Sequence, residues 1–154
     1  MKITEILKKN FIIPNLSNKS KEDVLKELSA FLADNGVIKD PETLHQSLME
    51  RENLGSTGIG ENVAIPHAKS KEVEHITTLF ARAPGGLDFE SLDKKPVHFI
   101  CLVIAPINST GLHLKALARI SRLLKNPQLR EAIINTSDQE EIYSILVNED
   151  SKFI

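Results

Sequence analysis

"VHFICLVIAP", residues 97–106, is the stretch on which the fold turns. Only His98 interrupts a nearly continuous apolar run, and a run of this length and chemistry reads as a strand buried on both faces of a sheet. It is too short to cross a membrane as a helix. The chain's single cysteine, Cys101, lies in the middle of it, where it can form no intramolecular disulfide and packs as a small hydrophobe. Downstream the pattern changes period. "TGLHLKALARISRLLK", 110–125, is helical, with Leu114, Leu117, Ala118, Ser121 and Leu124 expected inward. Upstream, "ITTLFARA", 76–83, reads as a second strand, and "PGGLDF", 84–89, as a turn leading into a short one.

The ends of the chain are helical. In "SKEDVLKELSAFLADN", 20–35, Val24, Leu25, Leu28, Phe31 and Leu32 share one face. Ser20 is the expected N-cap and Gly36 the expected residue just past the C-cap. A second helix starts with Asp40 as N-cap and Pro41 at the first position and runs towards Glu52. A further helix is expected from Pro127 to about Ile134. Asp138 with Glu141 forms a capping box for a last helix at 139–148. Helices, then strands, then helices without clean alternation imply an α/β domain with a mixed β-sheet flanked by helices. With 154 residues and no linker-like tract, the chain reads as a single domain, 1–154. Its formal net charge of −2, with the basic residues scattered, offers no footprint for nucleic acid. The N-terminus has no apolar leader and no stretch suits membrane insertion, so a cytoplasmic protein is expected.

Between the N-terminal helices and the first long strand lies "RENLGSTGIGENVAIPHAKS", 51–70. Val63, Ala64 and Ile65 form a short strand-like run. Pro66 fixes its own φ and keeps Ile65 extended, so His67 should leave the sheet in a fixed direction. A histidine so delivered suits a nucleophile, a general base, a metal ligand or a strand-end packing residue. His113 falls in the first turn of the helix after the buried strand, where free N–H groups favour an anion. Arg51 precedes the glycine-rich stretch and carries a planar fork of donors suited to phosphate or carboxylate. Together they form a set suited to a phosphoryl group. The plain alternatives are a helix-edge histidine and an arginine that serves its own helix C-terminus. "GSTGIG" has neither P-loop nor dinucleotide spacing.

This segment closely resembles the active-site signature of the fructose/mannitol-type enzyme IIA domains of the bacterial phosphoenolpyruvate-dependent sugar phosphotransferase system. The resemblance extends to "GGLDF", the strand ending in "AP", and "GLHLKALARIS", and leans towards the nitrogen-regulatory branch. It implies a mixed α/β sandwich and a phosphocarrier that accepts a phosphoryl group from the phosphohistidine of HPr or its nitrogen-branch paralogue. The family's acceptor falls on His67, its second active-site histidine on His113 and its assisting arginine on Arg51. No cofactor, nucleotide or metal is implied. The downstream partner would be an enzyme IIB in sugar transport or a set of regulatory targets. A metal-dependent hydrolase drawing on His45, His67, His75, His98 and His113 is the distant alternative, and their spacing matches no ligand pattern. His45 and His98 read as structural, and His75 as solvated.

Overall fold

The computed structural model describes residues 1–153. Two 3₁₀ turns, Ile3–Glu5 and Lys9–Phe11, lead into β1 (Ile12–Ile13), followed by α1 (Lys21–Asp34) and α2 (Pro41–Asn53). Short strands β2 (Gly58–Gly60), β3 (Val63–Ala64) and β4 (His67–Ser70) precede the long pair β5 (Thr77–Leu87) and β6 (Val97–Pro106). Three helices complete the chain: α3 (Thr110–Leu124), α4 (Pro127–Ile134) and α5 (Gln139–Asp150). The six strands form one mixed, open sheet in the order β1-β5-β6-β3-β2, with β4 also on β6.

β6 is the axis of that sheet. Phe99 to Ala105 are all buried, as a strand covered on both faces requires. β5 runs antiparallel along one edge of β6, and β3 and β4 run parallel along the other. Burial pushes the Cys101 thiol up to about 12, so it stays protonated and inert.

The helix ends follow the local chemistry. The Ser20 hydroxyl accepts from Asp23 N at 3.2 Å, the Asp40 carboxylate accepts from Thr43 N at 3.1 Å, and Pro41 opens α2. Gly36 takes φ +75° just beyond α1, which a glycine does without Cβ strain.

Four expectations need correction. "PGG" is not a turn: β5 continues through it with a register irregularity between Arg82 and Leu87, and Leu87 still pairs with Val97. Gly86 at φ +72° absorbs the kink. The buried face of α3 is His113, Ala116, Ile120, Leu123 and Leu124, while Leu114 is 61% exposed and Ala118 is also exposed. A stripe shifted by one residue fits the sequence nearly as well, and contact with β6 decides between them. Asp138 caps α5 through Glu140 N, but its own N–H goes to Thr136 Oγ1 rather than to Glu141, so there is no reciprocal box. Finally, His67 does not leave the sheet; it opens β4, paired with Val103. Pro66 has no N–H to give, yet its carbonyl accepts from Val103 N at 2.9 Å, and the ladder steps across it.

A buried polar knot joins the two N-terminal helices to the segment after α2. Lys21 and Glu52, with side chains 8% and 2% exposed, pair at 3.2 Å. The Glu52 carboxylate also accepts from the backbone N–H of Thr57 at 3.0 Å and from its hydroxyl. Removing one partner of such a pair strands the other charge in the core, typically at about 3–5 kcal/mol. Glu52→Ala should therefore lose about that much stability in urea unfolding, and a loss below ~1 kcal/mol would show the pair to be solvated.

Candidate functional site

His67 is half-buried at the start of β4. Its Nδ1 lies 2.8 Å from the carbonyl oxygen of Ile65. A carbonyl only accepts, so Nδ1 carries the hydrogen, and the lone pair of the neutral ring belongs to Nε2. Proline supplies a local reason for this contact. Pro66 keeps Ile65 extended and cannot donate, so the nearest donor for that carbonyl is the ring two residues on.

His113 comes from α3, the helix that follows β6. It is 6% exposed, and its ring centroid stands 5.3 Å from that of His67 at an interplanar angle of 66°. Its backbone N–H is already bonded to Ser109 O at 2.8 Å, while its Nδ1 is buried with no partner among the described residues. Arg51 comes from the last turn of α2 and donates from Nη1 to Gly55 O at 3.0 Å. The plain role of a C-terminal cation is thus met by one of its five donors, and the others remain. Arg51 and His67 line two adjoining surface depressions. One, of about 250 Å³, also takes in Ser47, Lys69 and His113; the other, of about 220 Å³, takes in Ser56, Thr57 and Ser121. A larger hollow of about 680 Å³ lies elsewhere, beside Lys19, Lys94 and Lys95, and contains no histidine.

The three residues named from the sequence therefore meet, each carried by a different element. Burial holds the His67 pKa below 6.5, the Ile65 hydrogen bond opposes, Arg51 adds to the lowering, and Glu52 opposes it. Burial also lowers His113, with help from the charges of His67 and Lys69. Both rings are thus kept neutral in the range where a free imidazole begins to charge.

The other histidines lie apart from this site in their contacts. His45 Nε2 lies 3.1 Å from Glu22 O, His98 Nδ1 donates to Ala83 O at 2.8 Å, and His75 is exposed. Among the described residues no three His, Cys, Asp or Glu side chains converge in a way that could hold a metal ion.

Two residues were missed in the sequence reading. Lys69 lines the depression of about 250 Å³ with His67 and His113. Alternation would have revealed it, since a strand starting at His67 puts His67 and Lys69 on one side and Ala68 on the other. Glu52 entered the sequence analysis only as the end of the second helix, and packing buries it.

Known proteins share both the sequence pattern and the fold of this chain. The family model described as "Phosphoenolpyruvate-dependent sugar phosphotransferase system, EIIA 2" matches residues 5–149. The chain belongs to that family. It is 40% identical over 146 residues to a nitrogen regulatory protein of Bradyrhizobium diazoefficiens, covering 95% of each chain. It is 37% identical over 150 residues to the fructose-specific EIIABC component of Bacillus subtilis, of which it spans 24%. The crystal structure of nitrogen regulatory protein IIA-Ntr from Neisseria meningitidis superimposes with a TM-score of 0.86 at 33% identity, over 94% of this chain and 98% of that one. The mannitol IIA of Escherichia coli, at 22% identity and a TM-score of 0.77, shares the fold over 90% of this chain and 97% of that one. The expected mixed sheet flanked by helices is the fold of this family. No helix among the described residues is long and apolar enough to cross a membrane.

A pH experiment checks the electrostatics. Both imidazoles should titrate by NMR with midpoints below 6.5. The folded state then binds fewer protons than the unfolded one, so stability is complete above 6.5 and declines as pH falls through the lowered midpoints. A midpoint at or above 6.5 for His67 would show that burial does not dominate at this ring.

Proposed function

We propose that this chain is a cytoplasmic phosphocarrier, a single enzyme IIA unit over 1–154, that accepts a phosphoryl group on Nε2 of His67. The donor is the phosphohistidine of HPr or its nitrogen-branch paralogue. The observation that carries the reading is the Nδ1 hydrogen bond to Ile65, which leaves the lone pair on Nε2 of a half-buried ring that lines a depression with Arg51 and His113.

The step is a displacement at phosphorus. The P–N bond to the donor's imidazole breaks and its electron pair returns to that nitrogen, while a P–N bond forms at His67 Nε2. The hydrogen stays on Nδ1, donated to the Ile65 carbonyl throughout, so no proton must leave for the bond to form. Such a reaction is accelerated chiefly by alignment and by charge around the equatorial oxygens. Pro66 contributes the alignment, because a nucleophile displaced by about 1 Å can cost ~100-fold in rate. Arg51 contributes a fork of donors, and His113 a second imidazole about one ring-width away. The reverse step is open too, since a phosphorylated imidazole is a good leaving group, and the histidine hands its load to an enzyme IIB or keeps it as a signal.

The regulatory use is favoured by the near end-to-end match to a nitrogen regulatory protein. Use as a sugar-specific component donating to enzyme IIB is the second reading, supported by the match to the fructose-specific protein. A phosphoryl group adds about −1.5 to −2 charge and three acceptor oxygens to an exposed surface, enough to change which partner docks.

Intact-mass measurement with phosphoenolpyruvate, enzyme I and HPr should add one acid-labile phosphoryl group to wild type and none to His67→Ala. Labelling of the variant would move the acceptor elsewhere. His113→Ala should still be labelled, but more slowly. Arg51→Lys replaces a planar fork with a point charge and should slow transfer at least about tenfold; wild-type rates would remove Arg51 from the reaction.

A further inference from the structure

We propose that Lys69 is a third phosphoryl-binding group of this site, a cation that lines the same depression as Arg51 and His67 and contacts the group once it is on Nε2. The inference rests on the phosphocarrier reading above and extends it to a residue outside the three already discussed.

Three observations converge on Lys69. β4 sends its side chain to the same side as His67, because the two are separated by one residue on a strand. It lines the depression that contains His67, His113 and Arg51. Its ammonium, finally, is held rather than free: Nζ donates to Thr110 Oγ1 at 2.9 Å, at the first residue of α3. An ammonium has three donors, and Thr110 uses one of them. Lys69 forms no ion pair among the described residues, so the other two donors are uncommitted.

The arrangement answers a charge problem. A phosphoryl group on His67 is close to a dianion, and Arg51 alone offsets only part of it. The buried carboxylate of Glu52 is already engaged by Lys21 and Thr57 and forms no ion pair with Lys69. Thr110 fixes the direction of a long, flexible side chain, which lowers the ordering cost of bringing it onto the phosphoryl oxygens. In the free chain Lys69 is exposed and its charge is screened by water. A partner docked over the depression would exclude that water and strengthen the contact during transfer.

The test uses the intact chain with phospho-HPr. Lys69→Met keeps the apolar stem and removes the charge; it should slow both forward and reverse transfer by about tenfold or more, with its melting temperature unchanged. Lys69→Arg should recover most of the rate. Phosphorus NMR provides a readout that a structural role would not move: the second ionisation of the phosphoryl group on His67 should rise in Lys69→Met, because a cation that favours the dianion is gone. Thr110→Val, which frees the ammonium without removing it, should give an intermediate rate. If wild type takes up label on His67 but Lys69→Met matches it in rate and in phosphorus titration, the role of Lys69 is overturned and the phosphocarrier reading stands. If wild type takes up no phosphoryl group from phosphorylated HPr, both are overturned.

Discussion

A strand with no solvent-facing side needs partners for both rows of its backbone groups and apolar neighbours for both rows of its side chains. β6 imposes that demand at the centre of this molecule, and the rest of the structure is arranged to meet it. The antiparallel ladder with β5 satisfies one edge, and the parallel pairs with β3 and β4 satisfy the other. Because β3 and β4 must both track β6, the chain between them cannot wander, and the Ile65–Pro66 step that separates them is held to one geometry. The histidine after that step inherits the rigidity of the sheet core.

The same strand fixes the other half of the site. β6 ends at Pro106, and α3 begins at Thr110 after a short connection in which Ser109 Oγ bonds back to Pro106 O at 2.7 Å. His113 therefore emerges one turn into a helix whose start is anchored to the strand beside His67. Two imidazoles far apart in sequence come within 5.3 Å because both are referred to β6. The arginine arrives differently. Arg51 stands at the end of α2, and the knot of Lys21, Glu52 and Thr57 ties that helix end and its loop to α1.

This division of labour separates stability from chemistry. Glu52 is buried and fully engaged, so its charge is spent on holding the loop. Arg51, its neighbour in sequence, has one donor committed among the described residues, to Gly55 O. The unpartnered Nδ1 of His113 belongs to the same pattern, since a buried polar atom without a partner costs roughly 1–3 kcal/mol and such costs gather at working sites. Burial lowers the pKa of both histidines, and Arg51 and Lys69 line the same depression.

The sequence by itself determined the buried strand at 97–106, the caps at Ser20 and Asp40 and the α/β class, and it named His67, His113 and Arg51 as candidates that the fold brings together. Each of these is carried by local chemistry: an unbroken apolar run, a side-chain oxygen before a helix, or a long motif with a proline-directed histidine. What it left open were features that depend on what lies opposite a residue. Which stripe of α3 faces inward was settled by packing on β6, because Leu114 and His113 are adjacent and both fit a helical period. Whether "PGG" turns or continues was settled by Val97, which still pairs with Leu87 beyond the irregularity. Lys69 and Glu52 were invisible for the same reason: a charged residue reads as solvated until the fold supplies Thr110 to one and Lys21 to the other. Local sequence sets backbone preference and capping within a few residues, but burial and convergence are properties of the surface brought against them, and only the tertiary structure brings it.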